Sequence, residues 1–278
     1  MSVSTCAAIP IDRAHCPEAS ADRRTQLMQA LGWHPSAVRE VQQHGVYRED
    51  QHADALPGDV LWERTGALEV DGRIFRPSMR MRLPRLVVVP GVLGDDECAE
   101  LIALARPRLR RSEIVNTGHK AGGAIASYSR NSQSTFISPQ ESERVAAIER
   151  RVAALLDWPV DNLEHMQIVR YGAGADFVPH HDYFDLGLPA TETLVQQAGN
   201  RIGSMLLYLN TPAAGGTTLF SDVELDIVPQ RGTALYFSYP APDESSMTLH
   251  SGAPVLEGEK WLATFFVRQS LMHRRTSP

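Results

Sequence analysis

From about residue 165 onward the chain reads as short apolar runs separated by turn signals, and that texture limits the folds open to it. Strands are expected over 165–171, 202–209, 217–220, 234–238 and 260–268. Gly215-Gly216 and the Gly- and Pro-containing stretches 229–232 and 252–254 punctuate them. Many short strands bury their apolar sides by packing as a β-sandwich or jelly roll. Upstream, 86–89 (LVVV) reads as a buried strand stopped by Pro90-Gly91. The segment 95–105 (DDECAELIALA) reads as a helix whose acidic first turn suits the positive end of the helix dipole. A second helix is expected over 142–156 (SERVAAIERRVAALL), with apolar residues at helical spacing. The expected class is α+β, a jelly-roll core with helices packed on one side.

The 278 residues suit one large domain plus an extension, and 43 % hydrophobic residues are enough for a sizeable core. Residues 1–82 are expected to form an N-terminal extension, with a short helix at 21–31 stopped by Gly32. The main domain is expected over 83–270 and a tail over 271–278. A formal net charge of −6 argues against a nucleic-acid partner, because phosphate contacts demand a basic surface. The arginine-rich stretches 73–85 and 106–111 read as solvated faces or local ion pairs. No apolar run is long enough to span a bilayer, and no secretory leader is evident. Cys6, Cys16 and Cys98 are odd in number and widely spaced, which fits a reducing compartment. A cytoplasmic protein is expected, its oligomeric state open.

The first chemical signal is His180-His181-Asp182. On an extended strand, residues i and i+2 share a face, so His180 and Asp182 aim at one point while His181 turns away. A distant histidine would complete two imidazoles and a carboxylate, the facial triad of non-haem Fe(II) oxygenases. The spacing alone is weak, since it recurs at His52 and Asp54 where no strand pattern exists. The 180–182 copy differs in its surroundings. Tyr171, Gly174 and Phe177-Val178-Pro179 precede it. Arg201 leads a strand ending in Tyr208-Leu209, Gly215-Gly216-x-Thr218 follows, and His250 comes before Pro254-Val255 and Lys260-Trp261. Upstream lie Glu97-Cys98 and Ser129-Arg130-Asn131-Ser132.

In this order and spacing the motifs resemble the prolyl 4-hydroxylase family of Fe(II)- and 2-oxoglutarate-dependent dioxygenases, over roughly 84–268. The resemblance implies a double-stranded β-helix core and Fe(II) held by His180, Asp182 and His250. It implies that 2-oxoglutarate and O2 are consumed to give succinate, CO2 and a hydroxylated carbon, with ascorbate as a candidate reductant. It also assigns Lys260 to the far carboxylate of 2-oxoglutarate, because a buried ammonium needs an anionic partner. The sequence departs from the family's pattern at Ser204, where threonine is common, at Phe265-Phe266, and in the length of 183–200.

Strand periodicity puts Lys260 with Thr264, Ser204 with Tyr208, and Gln167 with Tyr171 on common faces. If those faces line the barrel, Tyr171, Tyr208, Ser204 and Thr264 become candidates for the cosubstrate site. Ordinary core packing is the competing account of each. Arg130 and Tyr183 are candidates for the substrate side, Arg130 equally for a structural ion pair. The stretch 183–200 is expected to be a mobile loop that helps select substrate. The preferred substrate is a prolyl or related residue of a peptide or protein. A free amino acid or biosynthetic small molecule stands as the alternative, a non-catalytic ligand-binding jelly roll as a remote one, and a zinc hydrolase as the most distant.

Overall fold

The computed structural model describes residues 56–63, 67–115, 124–126, 131–188 and 191–271. The strands are β1 Leu68–Val70, β2 Arg73–Phe75, β3 Met79–Met81, β4 Arg85–Val89, β5 Arg110–Arg111, β6 Glu113–Val115, β7 Ala124–Ala126, β8 Gln133–Ile137 and β9 Met166–Tyr171. They continue as β10 Phe177–His180, β11 Arg201–Tyr208, β12 Ala214–Gly215, β13 Thr218–Phe220, β14 Leu225–Ile227, β15 Ala234–Ser238, β16 His250–Gly252, β17 Val255–Glu257 and β18 Lys260–Arg268. The α-helices are α1 Asp59–Glu63, α2 Asp95–Ala105, α3 Glu143–Leu156 and α4 Thr191–Ala198.

An eight-stranded antiparallel sheet, ordered β3-β4-β15-β11-β18-β9-β8-β5, faces a four-stranded sheet ordered β10-β16-β13-β14. This is the jelly roll. The central strands β11 and β18 are buried almost end to end because both faces of the large sheet are covered. One set of alternating residues (Met205, Leu207, Trp261, Ala263, Phe265, Val267) packs with Leu101, Ile148, Val152 and Leu155 of the helices. The other set (Leu206, Tyr208, Leu235, Phe237, Leu262) meets Phe220 and Ile227 of the small sheet inside the roll.

The helices α2 and α3 begin and end near the expected positions for identifiable reasons. The Ser142 hydroxyl caps α3 by accepting from Val145 N at 3.1 Å. At α2, Glu97 Oε2 accepts from Gly94 N at 2.8 Å, while Arg151 of α3 grips the same carboxylate at 2.8 and 2.9 Å. That buried ion pair fixes the two helices to one another.

The expected division at 82/83 falls inside the large sheet. β3 pairs with β4, and Leu61, Leu68, Val70 and Phe75 join the helix-side core. The stretch 183–200 is not simply a loop. It carries α4, which ends at Gly199 with φ +70°, and Gly199 N donates to Val195 O at 2.7 Å. The expected helix at 21–31 lies outside the described residues.

Candidate metal and cosubstrate site

β10 and β16 are antiparallel neighbours with His180 opposite His250. Each imidazole is turned the same way. His180 Nδ1 lies 2.9 Å from Val178 O, and His250 Nδ1 lies 3.0 Å from Thr248 O. A proton held on Nδ1 by a backbone carbonyl leaves the Nε2 lone pair pointing inward, the tautomer a metal requires. Asp182 sits two residues beyond the end of β10 and closes the triangle. Its Oδ1 is 3.5 Å from His180 Nε2 and its Oδ2 is 3.6 Å from His250 Nε2. One donor atom from each of the three residues lies within 4.8 Å of the others. His181 is outside this cluster and stacks on Tyr183, with ring centroids 4.7 Å apart.

The protonation states suit a cation. Burial lowers the His250 imidazole to about 4, with Asp182 opposing the shift, so it is neutral near pH 7. Burial alone would raise the Asp182 carboxyl. His250, His180 and the Ser204 hydroxyl outweigh it and hold the group well below the usual carboxylate range. Ser204, expected beside the cosubstrate, instead donates its hydroxyl to Asp182 Oδ2 at 2.7 Å. Asp182 O accepts from Arg201 Nη1 at 3.2 Å, and Arg201 is itself held bidentately by Glu164 at 2.8 Å.

Deeper in the roll stands Lys260, 3 % exposed. Strand register places it opposite Tyr171 of β9, and its ammonium is 5.7 Å from the ring centroids of both Tyr171 and Tyr208. Its polar neighbour is Thr218 Oγ1 at 3.4 Å, which also accepts from the Tyr208 hydroxyl at 2.8 Å. Burial, with no carboxylate among the described residues to offset it, pulls the Lys260 amine down to about 7. A buried cation so placed fits a dianionic ligand. Thr264 lies on the same face of β18, opposite Gln167 of β9 and Leu206 of β11. Thr218 was not among the sequence candidates, although the Gly-Gly-x-Thr motif contains it; its role follows only from strand pairing. Tyr183 is half-buried and meets Tyr239 edge-on at 5.6 Å. Arg130, His52 and Asp54 lie outside the described residues.

The sequence profile of the 2OG-Fe(II) oxygenase superfamily matches residues 166–268, the span holding every residue of this cluster. Probable prolyl 4-hydroxylase 8 of Arabidopsis thaliana is 35 % identical over 202 residues, covering 65 % of this chain and 67 % of that protein. Prolyl 4-hydroxylase 1 of the same plant is 33 % identical over 211 residues, covering 70 % and 72 %. Among solved structures, the viral collagen prolyl hydroxylase of Paramecium bursaria Chlorella virus-1, in complex with 2-oxoglutarate, superposes with a TM-score of 0.51. It is 28 % identical, and the match covers 66 % of this chain and 95 % of that one.

Proposed function

The chain belongs to the prolyl 4-hydroxylase family of 2-oxoglutarate- and Fe(II)-dependent dioxygenases, and from that premise we propose that it hydroxylates a prolyl residue of a peptide or protein. The observation carrying the reading is the convergence of His180, Asp182 and His250 within 4.8 Å in the same roll as a buried ammonium that has no carboxylate partner among the described residues. When bound, iron and 2-oxoglutarate supply the oxidation, with O2 consumed, succinate and CO2 released and one oxygen atom left on the substrate carbon.

The protein's own groups bind, orient and shield. His180 and His250 present Nε2 because their Nδ1 atoms face the carbonyls of Val178 and Thr248. Asp182 stays anionic and contributes the negative charge of the set. Lys260 pairs with the distal carboxylate of 2-oxoglutarate. Thr218 Oγ1 accepts from both Tyr208 and Lys260, so its own hydroxyl proton is left to donate into the same pocket. Tyr171 walls that pocket opposite Lys260. Leu206, Leu262, Phe237 and Phe220 form the apolar interior that keeps water from the reacting atoms. On the substrate side, Tyr183 offers a half-buried ring beside the Asp182 ligand. No helix among the described residues is long and apolar enough to cross a membrane. The scattered cysteines, with Cys98 free and buried, support a reducing, cytoplasmic setting.

The test is succinate formation by the Fe(II)-loaded protein under O2, with proline-containing peptides compared against free proline and other amino acids. Peptide-stimulated turnover, with hydroxyproline found by mass spectrometry and both lost in His180→Ala, is expected. Stimulation by free amino acids alone would overturn the peptide assignment. Failure of the wild type to bind iron would overturn the metal site.

A further inference from the structure

Asp182 is contacted by two different kinds of donor, and the division between them points to a role for Tyr239. The carboxylate meets a neutral donor, the Ser204 hydroxyl, at 2.7 Å on Oδ2. The charged donor, Arg201, reaches only the main-chain carbonyl of the same residue, while its guanidinium is held by Glu164, a carboxylate that Arg268 shares. A guanidinium on the carboxylate itself would compete with a metal for its negative charge, whereas a hydroxyl orients it and leaves the charge available.

The hydroxyl in turn has a partner. Ser204 Oγ lies 3.0 Å from the Tyr239 hydroxyl. Because Ser204 spends its single proton on Asp182, the proton in the second bond must come from Tyr239. The chain therefore runs in one direction, from Tyr239 to Ser204 to Asp182. Both hydroxyl-bearing residues are fully buried, where such bonds reinforce one another and the wrong rotamer of Ser204 would leave a polar atom unpaired. Tyr239 is held from two sides, by Tyr239 N donating to Ile202 O at 3.1 Å and by contact with the Tyr183 and Phe237 rings.

We infer that Tyr239 is a positioning residue for the metal centre, acting through Ser204 to fix the Asp182 carboxylate. This rests on the metal assignment proposed above. The Tyr239 hydroxyl reaches the Asp182 carboxylate through Ser204, so its effect on the metal should pass through Ser204 and vanish without it.

The test is a double-mutant cycle read by Co(II) binding to the full-length protein, both as a dissociation constant and in the visible spectrum of the bound ion. Ser204→Ala is expected to weaken Co(II) by about 10- to 100-fold and to shift the spectrum, as loss of a ligand's hydrogen-bonded support does. Ser204→Thr, which keeps the hydroxyl, should restore both. Tyr239→Phe keeps the ring and should weaken Co(II) by severalfold. In the Ser204→Ala background, Tyr239→Phe should add nothing. The inference is overturned if Tyr239→Phe leaves affinity and spectrum unchanged, or if its effect persists in full without the Ser204 hydroxyl. Circular dichroism of each variant establishes that the fold is retained. If Ser204→Ala fails to fold it is replaced by Ser204→Cys, and if Tyr239→Phe fails to fold it is replaced by Tyr239→Leu, read the same way. Absence of Co(II) binding by the wild type would instead sink the metal assignment, and the inference with it.

Discussion

Lys260 gives the cosubstrate assignment a quantitative consequence. Its amine is lowered by burial from 10.5 to about 7. At about 1.4 kcal/mol per pKa unit, that depression corresponds to about 5 kcal/mol against the buried charge. The folded-state pKa lies below the unfolded one, so the unfolded chain binds more protons between the two values. The penalty is therefore complete below about pH 7 and fades as pH rises toward 10.5, and the ligand-free protein gains stability across that window. A carboxylate against Nζ restores the charged form. At pH 8 about nine-tenths of Lys260 is neutral before binding and charged afterwards, so 2-oxoglutarate should carry in about one proton. Isothermal titration of the Mn(II)-loaded protein, in pH 8 buffers of different ionisation heat, measures this directly. Prior metal loading keeps the histidines neutral throughout. The slope of observed heat against buffer heat should be near one proton at pH 8 and fall toward zero at pH 6. Lys260→Met should abolish the uptake, weaken 2-oxoglutarate by more than about 100-fold, and stabilise the ligand-free protein at pH 7 by several kcal/mol. Tight binding by the wild type with no proton uptake at pH 8 would refute the reasoning.

Three further outcomes are expected. Glu164 lies between Arg201 and Arg268, and Glu164→Gln should cost about 3 kcal/mol in chemical denaturation by removing the carboxylate that both the buried Arg268 and the half-buried Arg201 guanidinium share. Burial opposes the shift, but the two arginines hold the Glu164 carboxyl below its usual range. Its contribution is thus present above the unfolded carboxylate pKa and lost as pH falls through the folded one, so the variant should show a flatter acid limb in a stability–pH profile. Leu101→Ala opens a cavity on the helix side of the large sheet and should lower stability by about 2–5 kcal/mol, while Co(II) affinity measured below the melt is unchanged. Gly203→Ala places a Cβ 2.6 Å from the Tyr236 hydroxyl, which must then leave Pro57 O. A loss of about 1–3 kcal/mol is expected in thermal melts, partly relieved by Tyr236→Phe in the same chain.

What could be read before folding follows the strength of each local signal. The expected bounds of β15 and β18 agree with the structure residue for residue, each being a mostly apolar run that follows closely on a glycine turn, Gly232 and Gly258. Strands β5, β6 and β7 left no trace, being two or three residues long, with Arg110 and Arg111 of β5 both exposed at the sheet edge. α4 escaped notice because only Thr191 and Ala198 of its eight residues are buried, too few to write a helical period. It is anchored from outside instead. Arg268 Nη2 donates to the carbonyls of Leu194 and Gly199, placing a cation at the helix's C-terminal end.

The site divides along the same line. Its ligands were legible because they sit in a local motif or follow one at a family spacing. The groups that hold them were not, because they depend on register between distant strands. Periodicity put Ser204 and Tyr208 on one face and suggested one shared task. In the folded chain the face is long enough for two. Tyr208 bonds Thr218 beside Lys260, while Ser204, four residues earlier on the same strand, lies beside the Asp182 carboxylate. Their partners on β18 are likewise distinct, Leu262 opposite Tyr208 and Phe266 opposite Ser204, with Thr264 between them. Phe266 also packs against the Arg201 guanidinium at 3.6 Å, tying the metal end of the face to the Glu164 ion cluster that pins α4. Along β11 this face carries Ser204 and Tyr208 with Leu206 between them, so the end proposed for 2-oxoglutarate is set apart from the end proposed for the metal. Substitutions at Tyr208 and at Ser204 should therefore affect different ligands, although the two residues are only two strand repeats apart.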